Sequence, residues 1–517
     1  MRTSGLAICA ALLAAGPGAA QEPLSAIDWL RRNPPQVPLS TLPLVLQPLT
    51  ALEPPVSAGI AAPVIEVTPL DAMPTAMGLV PTTVTGLPQS LWQTSRTEDL
   101  TRLITDAPVA HSPAMLSVLY TLLLAEGLPP ADSAQKPDLT LAMIDRLMDL
   151  GAVEPAEALA RRAGPTRTPA LFERWFDATL LTGTEDAACA TLSANPHLST
   201  DYAARIYCSA RRGDWPAAAL VLDTARALDD LDPHCAALLD RFLHSDLDEL
   251  MPPLTPAARI DPLDFRLYEA IGERLPTAAL PRAFAYADLR DVAGWKAQLE
   301  AAERLARTGA LSANRFLGIY TERSPAASGG VWDRVRAVQQ FETALGTASP
   351  DAIAKTLGPA WDAMRTAGTE ITFATLFADR LAATPPATGA AQQLAWHIRL
   401  LSDQYERAAR DAPSDPASTF LAGIAQGSPQ AGASDPDLRR AIAAGFSNTP
   451  DLPLQLQELY TRGALGELIL RAIALYRQGT NGNPEALTDA LAVFRLVGLE
   501  DTARRAALQL MLLEPRS

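Results

Sequence analysis

A short phrase recurs along this chain: the end of an apolar helix, a glycine, then a turn followed by alanines. It reads Leu147-Met148-Asp149-Leu150-Gly151-Ala152-Val153-Glu154-Pro155-Ala156 in one place and Ala210-Arg211-Arg212-Gly213-Asp214-Trp215-Pro216-Ala217-Ala218 in another. Looser copies stand at Thr308-Gly309-Ala310-Leu311, Arg462-Gly463-Ala464-Leu465 and Leu496-Val497-Gly498-Leu499. A glycine at a helix end tolerates the left-handed backbone that reverses the chain, and alanine after the turn lets two helices approach closely. The phrase therefore restricts the chain to an all-α stack of antiparallel hairpins.

Helix punctuation between the copies agrees. Ser95-Arg96-Thr97-Glu98 has the spacing of a capping box, followed by Leu100, Leu103 and Ile104 at helical intervals. Ser112-Pro113 opens a helix whose apolar face is Met115, Leu116, Leu119, Leu122 and Leu123, with Gly127 expected to end it in the left-handed conformation. Asn483-Pro484 and Gly498 frame another. Trp175, Phe176, Trp295, Trp361 and Trp396 fall at apolar helix positions, which predicts packing rather than sugar stacking.

Residues 206–220, from Ile206-Tyr207 through Gly213-Asp214-Trp215 to Ala219-Leu220, give an aromatic, a glycine turn, small residues and an apolar position. This resembles the inter-helix part of a repeat in the tetratricopeptide-type α-solenoid superfamily, a resemblance that implies shape rather than ligand. Tyr320-Thr321-Glu322-Arg323-Ser324-Pro325-Ala326-Ala327-Ser328-Gly329-Gly330-Val331-Trp332-Asp333-Arg334 resembles a segment of exported bacterial proteins labelled "antifreeze glycopeptide polyprotein". An ice-binding surface needs regularly spaced threonines, and only Leu381-Ala382-Ala383-Thr384-Pro385-Pro386-Ala387-Thr388 offers a faint Ala-Thr pattern, so the label's activity is not expected. The expected architecture is a right-handed superhelical stack over residues 96–517, bent or divided near residues 346–350 into parts 96–345 and 346–517.

The N-terminus differs. Arg2, an apolar stretch Leu6 to Ala15, and small residues at Gly18 and Ala20 predict a signal peptide over residues 1–20, hence a periplasmic or secreted protein. Ile8 before Cys9 opposes lipid modification. Over residues 21–95 prolines recur from Pro34 to Pro88, and no Lys or Arg stands between Arg32 and Arg96. Ser25 to Leu30 suits a short helix and Val64-Ile65-Glu66-Val67 a short strand, but proline excludes helix from most of this stretch. Its richness in Leu, Val and Ile favours an extended arm lying on the helical body over a solvated tether.

Cleavage leaves Cys189, Cys208 and Cys235. Asn195-Pro196-His197 reads as a hairpin turn, which places Cys189 and Cys208 at similar heights on antiparallel helices and makes them the preferred disulfide. Cys208 to Cys235 is the competing pair. No CxxC or HxxxH spacing accompanies His197 and His234, so no metal is expected, nor any cofactor.

A net charge of −15 with few lysines (Lys136, Lys296 and Lys355) and no basic run speaks against nucleic acid as a partner. No later apolar run is long enough to span a bilayer. The acidic runs Asp229-Asp230 and Asp246/Asp248/Glu249 read as solvated, and the C-terminal 60 residues as further hairpins rather than a lysozyme-like domain. The candidate interaction loop is Tyr320 to Arg334, where Tyr320, Glu322, Arg323, Ser328, Trp332, Asp333 and Arg334 flank a Ser-Gly-Gly turn. Amides at Gly329 and Gly330 ahead of a helix suit an anion or a partner's carboxylate. The opposing reading is that Glu322, Arg323, Asp333 and Arg334 pair around a tight loop while Trp332 packs inward. Ser328 lacks the Gly-x-Ser-x-Gly setting of a nucleophile, and no residue is nominated as catalytic. The function expected from all this is an envelope scaffold or adaptor whose concave face binds a protein or peptide. Its alternatives are a cell-wall-active enzyme or a glycan-binding module.

Overall fold

The structure, a computed structural model, describes residues 76–513 apart from 135, 245–251, 291 and 448–451. All of these belong to the compact unit Pro69–Ser517. The expected signal peptide, the Ser25 to Leu30 helix, the Val64 to Val67 strand, most of the proline-rich arm and the acidic group Asp246/Asp248/Glu249 lie outside the described residues.

The recurring glycine phrase makes the same turn each time. Gly151, Gly213, Gly309, Gly463 and Gly498 all have φ between +70° and +84°. In each copy the glycine amide bonds three residues back and the next amide bonds five back: at Gly151, to Met148 at 2.9 Å and from Ala152 to Leu147 at 2.8 Å. This is a Schellman motif, which satisfies helix-end carbonyls while reversing the chain. A sixth copy that the sequence did not disclose stands at Gly368, where the amide of Thr369 reaches the carbonyl of Met364 at 2.9 Å.

Helix starts are equally regular. The side chains of Asp201, Asp214, Asp232, Asp261 and Asp415 each accept a hydrogen bond from the first turn of the helix that follows. Asn483 does so for Pro484–Leu496, as its sequence predicts. Two expectations need correction. Ser95 forms no capping box: Thr97–Thr105 receives its cap from Asp132, which accepts from the Thr97 amide at 3.1 Å and hydroxyl at 2.6 Å. Gly127 is not left-handed; it pairs with Met77 in an isolated antiparallel bridge that holds the end of the arm against the body.

Residues 76–95 thus belong to the core. Leu79 and Val80 both donate to the carbonyl of Leu124 at 2.8 Å, and Leu91 and Trp92 are wholly buried. The expected division near 346–350 falls at a short turn between Val331–Gly346 and Pro350–Ala367, two helices packed closely along their lengths.

The stack does not run from one free end to another. Leu465–Thr480 packs on Thr97–Thr105, and Glu500–Leu512 packs on Pro113–Leu124. Gln509 accepts a hydrogen bond from the Ala114 amide at 2.8 Å, satisfying a helix-start donor nearly four hundred residues away. The amide of Gly466 donates to the carbonyl of Leu91 at 3.1 Å. Between these ends, Thr308 donates to the carbonyl of Leu150 at 2.7 Å and Arg282 to that of Asp149 at 3.1 Å. The first and last hairpins therefore meet, and the array is closed.

Tyrosine, carboxylate and arginine repeatedly pin hairpins together. Glu185 accepts from Tyr207 and from Arg266, both at 2.8 Å, and Asp501 accepts from Tyr405 and from Arg505, both at 2.8 Å. Burial of the Glu185 carboxylate is tolerated because it is met by two donors, one of them cationic, while Asp501 makes the same pairing at an exposed position.

The closing contact is tight enough to reverse an ordinary substitution effect. Replacing a helical glycine by alanine adds up to about 1 kcal/mol of stability where space permits. A Cβ on Gly466 would stand 2.5 Å from two atoms of the Trp92 ring, whereas one on Gly318 meets nothing within 4 Å. Gly466→Ala should destabilise by about 1–3 kcal/mol through overpacking and Gly318→Ala should stabilise, as read by chemical denaturation.

Candidate functional site

Structure divides the Tyr320 to Arg334 segment into two sets. Tyr320 is fully buried and donates to Glu303 at 2.6 Å; Arg334 grips both oxygens of the same carboxylate at 2.7 Å. Burial, and then the charge of Glu303, holds the Tyr320 phenol well above its ordinary pKa. Trp332 packs on Trp295 with ring centroids 5.3 Å apart. This is another tyrosine, carboxylate and arginine pin, joining Trp295–Ala306, Ala313–Thr321 and Val331–Gly346.

Glu322, Arg323, Ser328 and Asp333 remain exposed. Glu322 pairs with Arg323 at 2.9 Å and Asp333 with Arg336 at 2.8 Å. The four charged residues named from the sequence do not form one group: Arg334 turns inward to Glu303, a residue that the sequence reading overlooked. Gly329 and Gly330 both have positive φ, and Gly330 sits at the start of Val331–Gly346.

Cys189 and Cys208 form a disulfide, on the helices that flank the Asn195 turn, with Cα atoms 4.8 Å apart. Cys235 is a free thiol, which excludes the competing pair. Burial, and then the charge of Asp264, pushes this thiol up to about 12, so it is not a ready nucleophile at neutral pH. Among the described residues no cluster of three or more His, Cys, Asp or Glu is placed to hold a metal ion. Nor is any helix among them long and apolar enough to cross a membrane.

A further concavity lies elsewhere. A cavity of about 880 Å³ lies inside the closed array, bounded by the Pro113–Leu124 helix and by four inter-helix turns. These are the turns around Ala152, Gly309, Gly368 and Gly498, so the repeating phrase builds the wall. Each turn is followed at once by the start of the next helix, at Val153, Ala313, Glu370 and Glu500. Closure creates this space, and sequence periodicity alone gives no sign of which turns will face one another.

Its lining is mixed: aliphatic groups such as Leu116, Leu311 and Ile371 alternate with Ser117, Thr121 and Thr372. The Tyr120 hydroxyl is buried without a hydrogen-bond partner within 3.5 Å. Burial raises the Tyr120 pKa, partly offset by nearby Thr308 and by the charges of Arg282 and Arg146, so the hydroxyl stays protonated as a donor. The charged groups of the lining are Arg307, Glu370 and Asp501; Asp501 is engaged by Tyr405 and Arg505, and Arg307 by the carbonyl of Ala367 at 2.5 Å. No nucleophile and base face one another across the space within hydrogen-bond reach among these groups.

A separate electrostatic feature is the convergence of the caps Asp201, Asp232 and Asp261 around Asp264. Burial first, then the charge of Asp261, pushes Asp264 up to about 7; Asp177 rises to about 7 for the same two reasons. Asp145 and Glu173 add to the negative potential at Asp177, while Arg174 opposes it. A carboxyl whose folded-state pKa is raised contributes stability that is complete below its unfolded value and is lost as pH rises through the folded value. The melting temperature should therefore fall between about pH 4 and about pH 7, and Asp264→Asn should flatten that slope. No protein family, curated protein or solved structure matches this chain, so its candidate sites rest on their own geometry.

Proposed function

We propose that this chain is an exported, non-catalytic binding protein of the cell envelope, a closed variant of the tetratricopeptide-like helical array that holds a partner's peptide segment in its internal cavity. The observation that carries this reading is the cavity of about 880 Å³, walled by the same glycine turns that generate the repeat. A pocket of several hundred cubic ångströms with an apolar lining and a few placed polar groups suits retention of a ligand. The structural engagement of Asp501 and Arg307 supports binding over bond cleavage. The disulfide supports an oxidising compartment, in accord with the N-terminal sequence. Ice binding gains no support: Thr388 caps the Gly389–Leu400 helix by accepting from the Ala391 amide.

A blocking substitution tests the reading. Ser117 is exposed on the cavity wall, and Ser117→Trp should fill the space without disturbing the helix interior. Crosslinking in cells that produce the tagged protein should capture one dominant envelope partner with the wild type and lose it with Ser117→Trp. Equal capture by both would place the binding surface elsewhere, and background capture by the wild type would sink the proposal.

A further inference from the structure

The chain carries a net charge of −15, yet a group of arginines gathers behind one wall of the cavity, with Arg307 reaching its lining. Arg146, Arg282, Arg304 and Arg307 gather behind Tyr120 and Thr308, close enough for their charges to act on one another. Each is bound mainly by backbone carbonyls rather than by a carboxylate. Arg146 donates to Ala107 at 2.6 Å, Arg282 to Asp149 at 3.1 Å, Arg304 to Thr277 at 2.7 Å and Arg307 to Ala367 at 2.5 Å. Carbonyls satisfy hydrogen bonds but leave the positive charge uncancelled.

The nearby acids do not restore balance. Asp149 stands 4.0 Å from Arg146 and is largely exposed; Asp288 is engaged by Arg274 and Thr277; and Glu303, which Arg307 approaches at 3.7 Å, is already gripped by Arg334. Asp106 also acts on Arg146, while Asp501, an acid elsewhere in the cavity lining, is held by Tyr405 and Arg505. Three buried donors in this group lack a partner: the Tyr120 hydroxyl and the Nε atoms of Arg146 and Arg282. A buried donor left unpaired costs about 1–3 kcal/mol, so an acceptor brought to the Tyr120 hydroxyl, the one of the three whose residue lines the cavity, is favoured.

We propose that the cavity recognises an apolar ligand ended by a carboxylate, with the carboxylate held at the Tyr120 and Thr308 wall and the apolar body lying along Leu116, Leu311 and Ile371. Two sources supply that chemistry: the C-terminus of an apolar peptide and a fatty acid. The inference rests on the reading of the cavity as the binding site. Both Tyr120 and Arg307 line the space, Tyr120 as a neutral donor and Arg307 as a cation, while Arg282 and Arg146 act from behind; the acids that share the lining, Glu370 and Asp501, stand on other turns.

The test titrates the purified full-length mature protein calorimetrically with four probes. They are a leucine-rich hexapeptide with a free C-terminal carboxylate, the same peptide amidated, palmitate, and hexadecanol. At least one carboxylate probe should bind ten-fold or more tightly than its neutral counterpart, and the pair that shows the difference names the source. Tyr120→Phe and Arg307→Gln should each erase most of that ratio by weakening the carboxylate probe more than its neutral counterpart. Arg307 is half exposed, so its variant retains the fold even where a change at Tyr120 does not. Equal binding of charged and neutral probes would overturn carboxylate recognition and leave the cavity reading standing. No binding by any of the four would overturn both.

Discussion

Closure of the array turns on the meeting of its two ends, where the Trp92 ring lies against the bare backbone of Gly466. Much of the rest of the fold is local, a helix end, its turn and the helix that follows. Local elements of this kind define hairpins but not how many of them make a circuit. The Trp92 ring, wholly buried, fits because residue 466 has no side chain, and the adjoining bond from Gly466 to the carbonyl of Leu91 fixes the register. Gln509 then reaches across to the start of the Pro113–Leu124 helix and supplies a cap that its own sequence neighbours do not provide.

The cavity is a by-product of that circuit. Each Schellman turn points its reversed backbone to one side of the hairpin, and when the circuit closes, four turns face a common space. The same geometry explains the lining. Turn residues must be small or polar, and residues just inside each following helix supply the aliphatic groups. A wall built in this way carries hydroxyls and backbone groups beside its aliphatic side chains.

Much of this was legible in the sequence because it is local. The five glycine turns, the Asn483 cap, Pro113 at a helix start and the disulfide between Cys189 and Cys208 follow from rules acting over a few residues or one hairpin. What failed was long-range. Ser95 has the capping-box spacing, but Asp132, 35 residues beyond the capped Thr97, takes the role, and Gly127 is drawn into a bridge by Met77 from the end of the arm. The cavity was illegible for the same reason: Ala152, Gly309, Gly368 and Gly498 become neighbours only through closure. In the Tyr320 to Arg334 segment, an unusual composition was visible, while the partner that gives Tyr320 and Arg334 their role, Glu303, lies one helix earlier and carries no local mark.

The meeting of first and last hairpins changes how such a chain can evolve. An open stack grows or shrinks by whole hairpins, since each contacts only its neighbours and a new terminal unit simply becomes the end. A circuit has no terminal unit to extend. Its rotations must sum to one full turn, so gaining or losing a hairpin would part Trp92 from Gly466 and Ala114 from Gln509. Variation in length is then confined to places that sit outside the circuit, such as the excursion from Asp186–Ala194 that comes back through Pro262–Ala270 to the Pro169–Thr182 helix. Divergence among chains that share this architecture should accumulate there, leaving the ring count fixed.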